Sequence, residues 1–121
     1  MPRSKKRSVY FECCNPILRV KNLKESVRFY VVLLGFKNAE WASDDFTCVS
    51  RDKASIYLCE GDQGKGKAWV WVGVEDARKL NIQLAANGVK IKQALTNFPW
   101  ALEFHAEDPD GNVLRFGSEP E

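Results

Sequence analysis

The sequence predicts an α+β fold in which two βαβββ modules form a curved mixed sheet around a cavity, with the helices outside. One observation is an internal repeat: the order strand, helix, three strands occurs twice, at an offset of about 53 residues from Ile17 to Val70. Another is that several strands alternate between an aliphatic face and a mixed aromatic and charged face. The 121-residue length suits one compact domain.

The first module is predicted over residues 15–60. A short run with β-branched ends, 16–20, predicts a strand. Asn22 can cap a helix whose apolar residues recur at helical spacing, and Gly35 can end it because glycine accepts the left-handed conformation. Polar turns then separate three predicted strands, at 36–43, 46–52 and 54–61.

A predicted linker, residues 61–67 with the sequence GDQGKGK, leads to the second module at 68–117. Its glycines and charged residues cannot build a core and leave the chain free to cross over. It does not match a phosphate-binding loop. The second module repeats the first, with Gly88 ending its helix and a C-terminal tail at 118–121. Its elements are a strand at 68–74, a helix at 75–88, and strands at 89–95, 100–107 and 112–118.

Composition excludes several classes of function. The chain is 45% hydrophobic and 28% charged, which is typical of a globular protein, and its net charge of +2 is too small to indicate nucleic-acid binding. Residues 1–14 are predicted to be a basic tail and lead-in. A poorly ordered, solvated tail is the main interpretation, and a tether to nucleic acid or an anionic surface is the alternative. No apolar run approaches the roughly 20 residues of a membrane span.

The four cysteines contain no C-x-x-C pair, which argues against a zinc knuckle. Cys13 and Cys14 are adjacent, so they would point to opposite sides of a strand. A reduced, cytoplasmic protein is therefore predicted.

Two motifs carry a family resemblance. The first is S-x-x-F-Y-x-x-x-L-G-F at 26–36, and the second is the D-P-D-G-N turn at 108–112. With the duplicated order of elements, they make the chain from about 15 to 117 resemble the vicinal-oxygen-chelate superfamily of glyoxalases, extradiol dioxygenases and bleomycin resistance proteins. The stretch NFPWALEFHAEDPDGN looks closest to the bleomycin resistance branch. The turn itself is explained by local chemistry, because Pro109 fixes φ and Gly111 supplies positive φ.

The resemblance implies where a divalent metal would be held in the enzymes of this superfamily. The matching positions here are Asn15, Tyr57, Trp69 and Arg115. An amide is a weak ligand, a phenol is a poor one, an indole does not coordinate, and a guanidinium carries the wrong charge. We therefore predict no metal and no cofactor. His105, the only histidine, falls outside the implied ligand strands and is interpreted as a strand residue near the cleft, with ligand contact or a pH-sensitive hydrogen bond as the alternative.

The mixed face of the strands indicates a lined cavity. Aromatic residues near strand ends could form its rim. Flat aromatic walls favour planar ligands. The carboxylates Glu40, Glu60 and Glu103 would favour a cation, whereas Arg19 and Arg115 would favour an anion or pair internally, and the sequence leaves both possibilities open. The predicted ligand-binding residues are Asn15, Trp41, Phe46, Tyr57, Trp69, Trp71, Phe98, Trp100, Glu103, His105 and Arg115.

The predicted function is metal-independent binding and sequestration of a small aromatic molecule, with cationic antibiotics as candidates, as the resemblance to bleomycin resistance proteins implies. A glyoxalase- or dioxygenase-like lyase or oxidoreductase is the alternative, although no catalytic residues are predicted. A third possibility is that Trp69 and Trp71 fill the concavity as core of a structural dimer without ligand. The resemblance also implies a homodimer whose cavities are built from both chains. The small net charge and the lack of a long apolar run predict no nucleic-acid or membrane partner.

Overall fold

The computed structural model describes Ser8, Tyr10 and residues 12–121, and most of the predicted basic tail lies outside these residues. The predicted fold class is confirmed, because each module contains a strand, a helix and three further strands. The elements are β1 Ile17–Arg19, α1 Leu23–Arg28 continuing as a π-helical turn Phe29–Leu33, β2 Lys37–Asn38, β3 Phe46–Arg51, β4 Ala54–Cys59, β5 Trp69–Gly73, α2 Ala77–Ala86, β6 Lys90–Asn97, β7 Leu102–Glu107 and β8 Val113–Ser118.

Both helices begin and end as local chemistry dictates. The Asn22 side chain accepts a hydrogen bond from the Glu25 amide at 3.0 Å, which confirms the predicted cap. Asp76 caps α2 in the same way, accepting from the Lys79 amide at 2.9 Å. Gly35 and Gly88 follow the helices with φ of 76° and 84°, the left-handed conformation predicted for them.

Each module has its own four-stranded sheet, and the two sheets share one topology. The order is β1-β4-β3-β2 in the first and β5-β8-β7-β6 in the second. β1 pairs in parallel with β4, and β5 pairs in parallel with β8, while the other neighbours are antiparallel. The repeated sequence pattern therefore produces two copies of one mixed sheet.

The strand predicted at 36–43 is mostly wrong, because only Lys37–Asn38 pairs with β3. Beyond Asn38 the chain turns: the Ala42 amide donates to the Ala39 carbonyl, and the Ser43 amide donates to the Phe46 carbonyl. The polar run from Ser43 to Asp45 favours this turn over an extended strand. Trp41 consequently lies on a turn at the edge of the sheet.

The aliphatic faces of both sheets pack into one core with the helices, as the alternation predicts. Leu18, Ile56 and Leu58 from the first sheet and Leu114 and Phe116 from the second are buried together with the apolar sides of the helices. The mixed face of each sheet, which carries Trp69 and Trp71 in the second module, points away from this core. We call these two surfaces the open faces. Within the described residues, neither helix is long or apolar enough to cross a membrane.

The D-P-D-G-N turn joins the two modules, a role that its local chemistry did not predict. Asp108 is buried and accepts a hydrogen bond from the Tyr30 hydroxyl of module one at 2.9 Å. Asp110 accepts from the Ser26 hydroxyl at 3.2 Å and from the Lys21 amide at 2.8 Å. The turn therefore holds the first helix of module one against the end of module two.

The segment between the modules is held close to β1. Gly64 has φ of 72°, and a Cβ at this position would lie 2.5 Å from the carbonyl oxygen of Ile17. Only glycine meets both requirements without displacing the backbone. The segment was predicted as a flexible crossing, but at this residue it packs tightly on module one.

Candidate ligand-binding site

Three tryptophans dominate the open face of module two. Trp69 and Trp71 lie two residues apart on β5, and Trp100 precedes β7. Their exposed fractions are 59%, 50% and 61%, so none of them belongs to the core of the single chain. We call these three residues the tryptophan face.

A polar centre lies between these indoles and consists of Glu103, His105 and Arg115. Glu103 Oε2 accepts a hydrogen bond from Arg115 Nε at 2.7 Å and lies 2.7 Å from His105 Nε2. Glu103 Oε1 accepts from the Trp100 indole N–H at 2.9 Å. The β7–β8 pairing, which sets His105 opposite Arg115, brings the three side chains together.

The Glu103 carboxylate is ionised at neutral pH. Its side chain is only 1% exposed, although it lies close to the open face, where Trp100 and Arg115 are accessible. Burial acts to raise the pKa of Glu103, but the hydrogen bonds from Arg115, His105 and Trp100 outweigh burial and lower the pKa to about 2. An ionised carboxylate can only accept, so His105 Nε2 carries the proton in this contact.

The indoles contact the polar centre from two sides. The Trp69 ring meets the His105 ring edge-on, with centroids 5.7 Å apart. The Arg115 guanidinium carbon lies 5.4 Å from the centroid of the Trp71 ring, within cation–π range. The open face of module two therefore combines flat apolar walls with a charged hydrogen-bonding group between them.

Gly117 is a site residue that sequence reasoning missed. A Cβ at Gly117 would overlap the six-membered ring of Trp71, so the absence of a side chain lets the indole approach the β8 backbone closely. A signal was available, because Gly117 follows Arg115 by two residues and therefore lies on the same face. A shallow pocket of about 460 Å³ borders Trp71, Trp100 and Gly117.

Phe98 and Trp100 form a stacked pair before β7, with centroids 4.8 Å apart and planes 8° from parallel. Trp100 is thus supported on one side by Phe98 and held through its N–H by Glu103. This support fixes the orientation of an otherwise exposed indole.

A second aromatic cluster occupies the open face of module one. Trp41, Phe46 and Tyr57 contact one another, with the Phe46 and Tyr57 rings stacked at 5.4 Å and the Trp41 and Phe46 rings stacked at 6.2 Å. Trp41 is 58% exposed. All four tryptophans of the chain therefore lie exposed in or beside these two clusters.

The sequence-predicted site residues form these two clusters within one chain and do not meet at one point. No hydrogen bond or ring contact among the described residues joins Trp41, Phe46 or Tyr57 to the tryptophan face. Asn15 belongs to neither cluster, since its amide donates to the Ser55 carbonyl at 3.2 Å and it borders a different cleft. The reason is that each open face belongs to a separate sheet.

That cleft lies between the modules and has a volume of about 880 Å³. Aliphatic residues of both modules line it, including Ile56, Val70 and Leu84. Charged side chains also border it: Arg51, Asp52, Lys53, Glu75, Asp76 and Lys79. Most of its lining lies on the core side of the strands, and Trp71 of the tryptophan face also borders it.

The residues at the superfamily's metal positions do not fit a metal ion. The Arg115 guanidinium is ion-paired with Glu103, Trp69 has no coordinating atom, and Tyr57 is stacked on Phe46. In the part of the chain that the structure describes, no group of three His, Cys, Asp or Glu side chains is arranged to hold an ion.

Paired βαβββ modules with open faces define the vicinal-oxygen-chelate fold. The family model of the Glyoxalase/Bleomycin resistance protein/Dioxygenase superfamily matches residues 11–116, and the chain belongs to this superfamily. No curated protein sequence matches the chain.

Solved structures share this fold at low sequence identity. The bleomycin-binding protein from bleomycin-producing Streptomyces verticillus, complexed with copper(II)-bleomycin, has a TM-score of 0.75 and 24% identity, over 94% of this chain and 100% of that one. TnmS3, an antibiotic binding protein from Streptomyces sp. CB03234, has a TM-score of 0.81 and 21% identity, over 95% and 100%. TioX from Micromonospora sp. ML1 has a TM-score of 0.76 and 16% identity, over 90% and 99%.

Proposed function

We propose that the protein binds a small planar aromatic molecule on the tryptophan face and sequesters it without making or breaking a bond. The observation that carries this proposal is the exposure of three indoles around a hydrogen-bonded polar centre in which only Glu103 is buried. Exposed aromatic surface of this kind marks an interaction site in a folded domain. The antibiotic-binding proteins that share the fold support the same conclusion.

Titration with planar aromatic antibiotics, bleomycin included, tests the proposal. Because all four tryptophans lie in or beside the open faces, a ligand that stacks there should change tryptophan emission in a saturable way. The ligand should be recovered chemically unchanged after release. A set of such compounds that leaves the emission unaltered would contradict binding, and a converted product would favour the enzymatic alternative.

A homodimer would bring the two aromatic clusters together. Each chain presents one cluster on each sheet, and a two-fold axis can set the module-one face of one copy opposite the module-two face of the other. Such pairing would cover Trp41 and the tryptophan face and would create two equivalent cavities. It would also give Tyr57 and Arg115 the shared site that the resemblance implies.

Sedimentation or light scattering is therefore expected to report about twice the 13.8 kDa chain mass. A dimer is the commonest closed assembly, and its interface would remove exposed indole surface from water. A strictly monomeric protein at tens of micromolar would contradict a cavity built from two chains.

The purified protein is expected to contain no stoichiometric Zn²⁺, Ni²⁺, Fe²⁺ or Mn²⁺. The side chains at the superfamily's ligand positions lack suitable donors, so a chelator should leave the melting temperature unchanged. Elemental analysis after mild purification checks this. About one equivalent of metal per chain would overturn metal-independent binding.

A further inference from the structure

We propose that the polar centre selects planar aromatic ligands that carry a carboxylate or another anionic, hydrogen-bond-accepting group, in preference to aromatic cations. This inference rests on the proposed ligand site and names the chemical class of its ligand. It resolves a question that the sequence left open, because the chain contains both carboxylates and arginines near the predicted cavity.

Glu103, the carboxylate of the polar centre, already has hydrogen-bonding partners. Glu103 accepts from Arg115 Nε, from His105 Nε2 and from the Trp100 indole, and both of its oxygens are engaged. Its side chain is almost completely buried. A ligand cation could reach Glu103 only by displacing one of these donors.

The other two carboxylates that the sequence offered for a cation are also poorly placed. Glu60 Oε2 accepts from the Leu23 amide at 2.7 Å, at the start of the first helix. Glu40 is exposed to solvent beside the turn that carries Trp41. Glu75 and Glu119 border the shallow pocket next to Trp71, but both are exposed, so water and salt screen their charge.

Arg115, in contrast, retains hydrogen-bonding capacity on the open face. Only its Nε donates to Glu103, and its two terminal nitrogens make no hydrogen bond with any residue that the structure describes. The side chain is partly exposed and lies beside the Trp71 ring. A guanidinium presents these terminal N–H groups as a planar fork that matches a carboxylate.

The engaged carboxylate of Glu103 and the available terminal nitrogens of Arg115 together favour one arrangement of a bound ligand. An aromatic ring would stack on an exposed indole of the tryptophan face, while an acceptor group on that ring meets the terminal nitrogens of Arg115. Glu103 holds Arg115 in place through Nε, so little side-chain freedom is lost when the ligand binds.

Three probes with the same ring system test the inference: anthracene carboxylate, anthracene methanol and anthracene methylammonium. Tryptophan emission is titrated at low ionic strength with each probe. The carboxylate is expected to bind about tenfold or more tightly than the ammonium, since charge-assisted hydrogen bonds to a fixed guanidinium are the stronger kind. Added salt should reduce this preference.

Variants then assign the preference to Arg115. Arg115→Gln should lower the ratio of carboxylate affinity to methanol affinity about tenfold. Arg78→Gln is the matched control, because it removes the same charge from an exposed pair with Glu121 and should change neither affinity. Arg115→Gln leaves Glu103 without its ion-pair partner, and the protein could then fail to fold. In that case the double variant Arg115→Gln/Glu103→Gln removes both charges and tests the same loss of carboxylate preference.

The outcomes separate this inference from the proposed function. If the ammonium binds as tightly as the carboxylate, or if the Arg115 variants keep the carboxylate preference, the inference is wrong while aromatic binding stands. If none of the three probes changes the emission, both are overturned.

Discussion

Replacing Asp108 with alanine is expected to lower the free energy of unfolding by about 3 kcal/mol or more. The buried carboxylate accepts hydrogen bonds from the Tyr30 hydroxyl, the Asn112 amide and side chain, and the Asp110 amide. Alanine leaves these donors unsatisfied inside the protein and opens a void where the two modules meet. Urea denaturation followed by circular dichroism measures the loss.

Two further variants compare the individual contacts that this turn makes with module one. Tyr30→Phe removes one hydrogen bond to Asp108 and leaves the turn intact, and it should cost about 1–2 kcal/mol. Asp110→Ala, in the same turn but less buried, should cost less than Asp108→Ala. If Tyr30→Phe has no effect on the free energy of unfolding, the contact between Asp108 and module one does not stabilise the protein.

The second large effect concerns the tryptophan face: Trp69→Ala is expected to weaken binding of a planar aromatic ligand about tenfold or more. The indole is exposed and available for stacking, and a tenfold loss of affinity corresponds to about 1.4 kcal/mol, within the range for the tryptophan contacts that dominate binding interfaces. Because Trp69 lies outside the core of the chain, the free energy of unfolding of a single chain should change by less than about 1 kcal/mol. Ligand titration and thermal melting measure the two quantities.

Two control variants and one alternative outcome distinguish binding by module two alone, binding in a cavity shared by two chains, and a packing role for Trp69. Ile82→Ala, at an apolar residue of α2 that is 64% exposed, should leave affinity unchanged because α2 packs on the other side of the sheet. Trp41→Ala on module one should weaken binding if two chains share each cavity, and should have no effect if module two binds alone. A drop in stability of several kcal/mol for Trp69→Ala with unchanged affinity would instead indicate a packing role.

Many individual residues of the candidate site could be predicted from the sequence, but their division into two clusters on separate sheets could not. Period-two alternation identified Trp69, Trp71 and Arg115 as neighbours on one face, and the β5–β8 register agrees with this, since it sets Trp71 opposite Arg115. Tyr57 was expected to meet them, yet it stacks with Phe46 on the other sheet. Alternation assigns a side chain to a face of its own strand, whereas the distance between two sheets depends on packing far along the chain.

The sequence by itself determined the α+β class, the duplication of the module, the Asn22 cap, the glycine stops of both helices, and the side chains that face away from the core. These features depend on local rules: helical spacing, strand alternation and the conformations open to asparagine and glycine. Only the tertiary structure decided that Glu103 is buried under Arg115, His105 and Trp100, that Gly117 supports Trp71, and that Asp108 joins the modules. Each of these contacts is set by a strand register or by a contact between modules, which local rules do not determine.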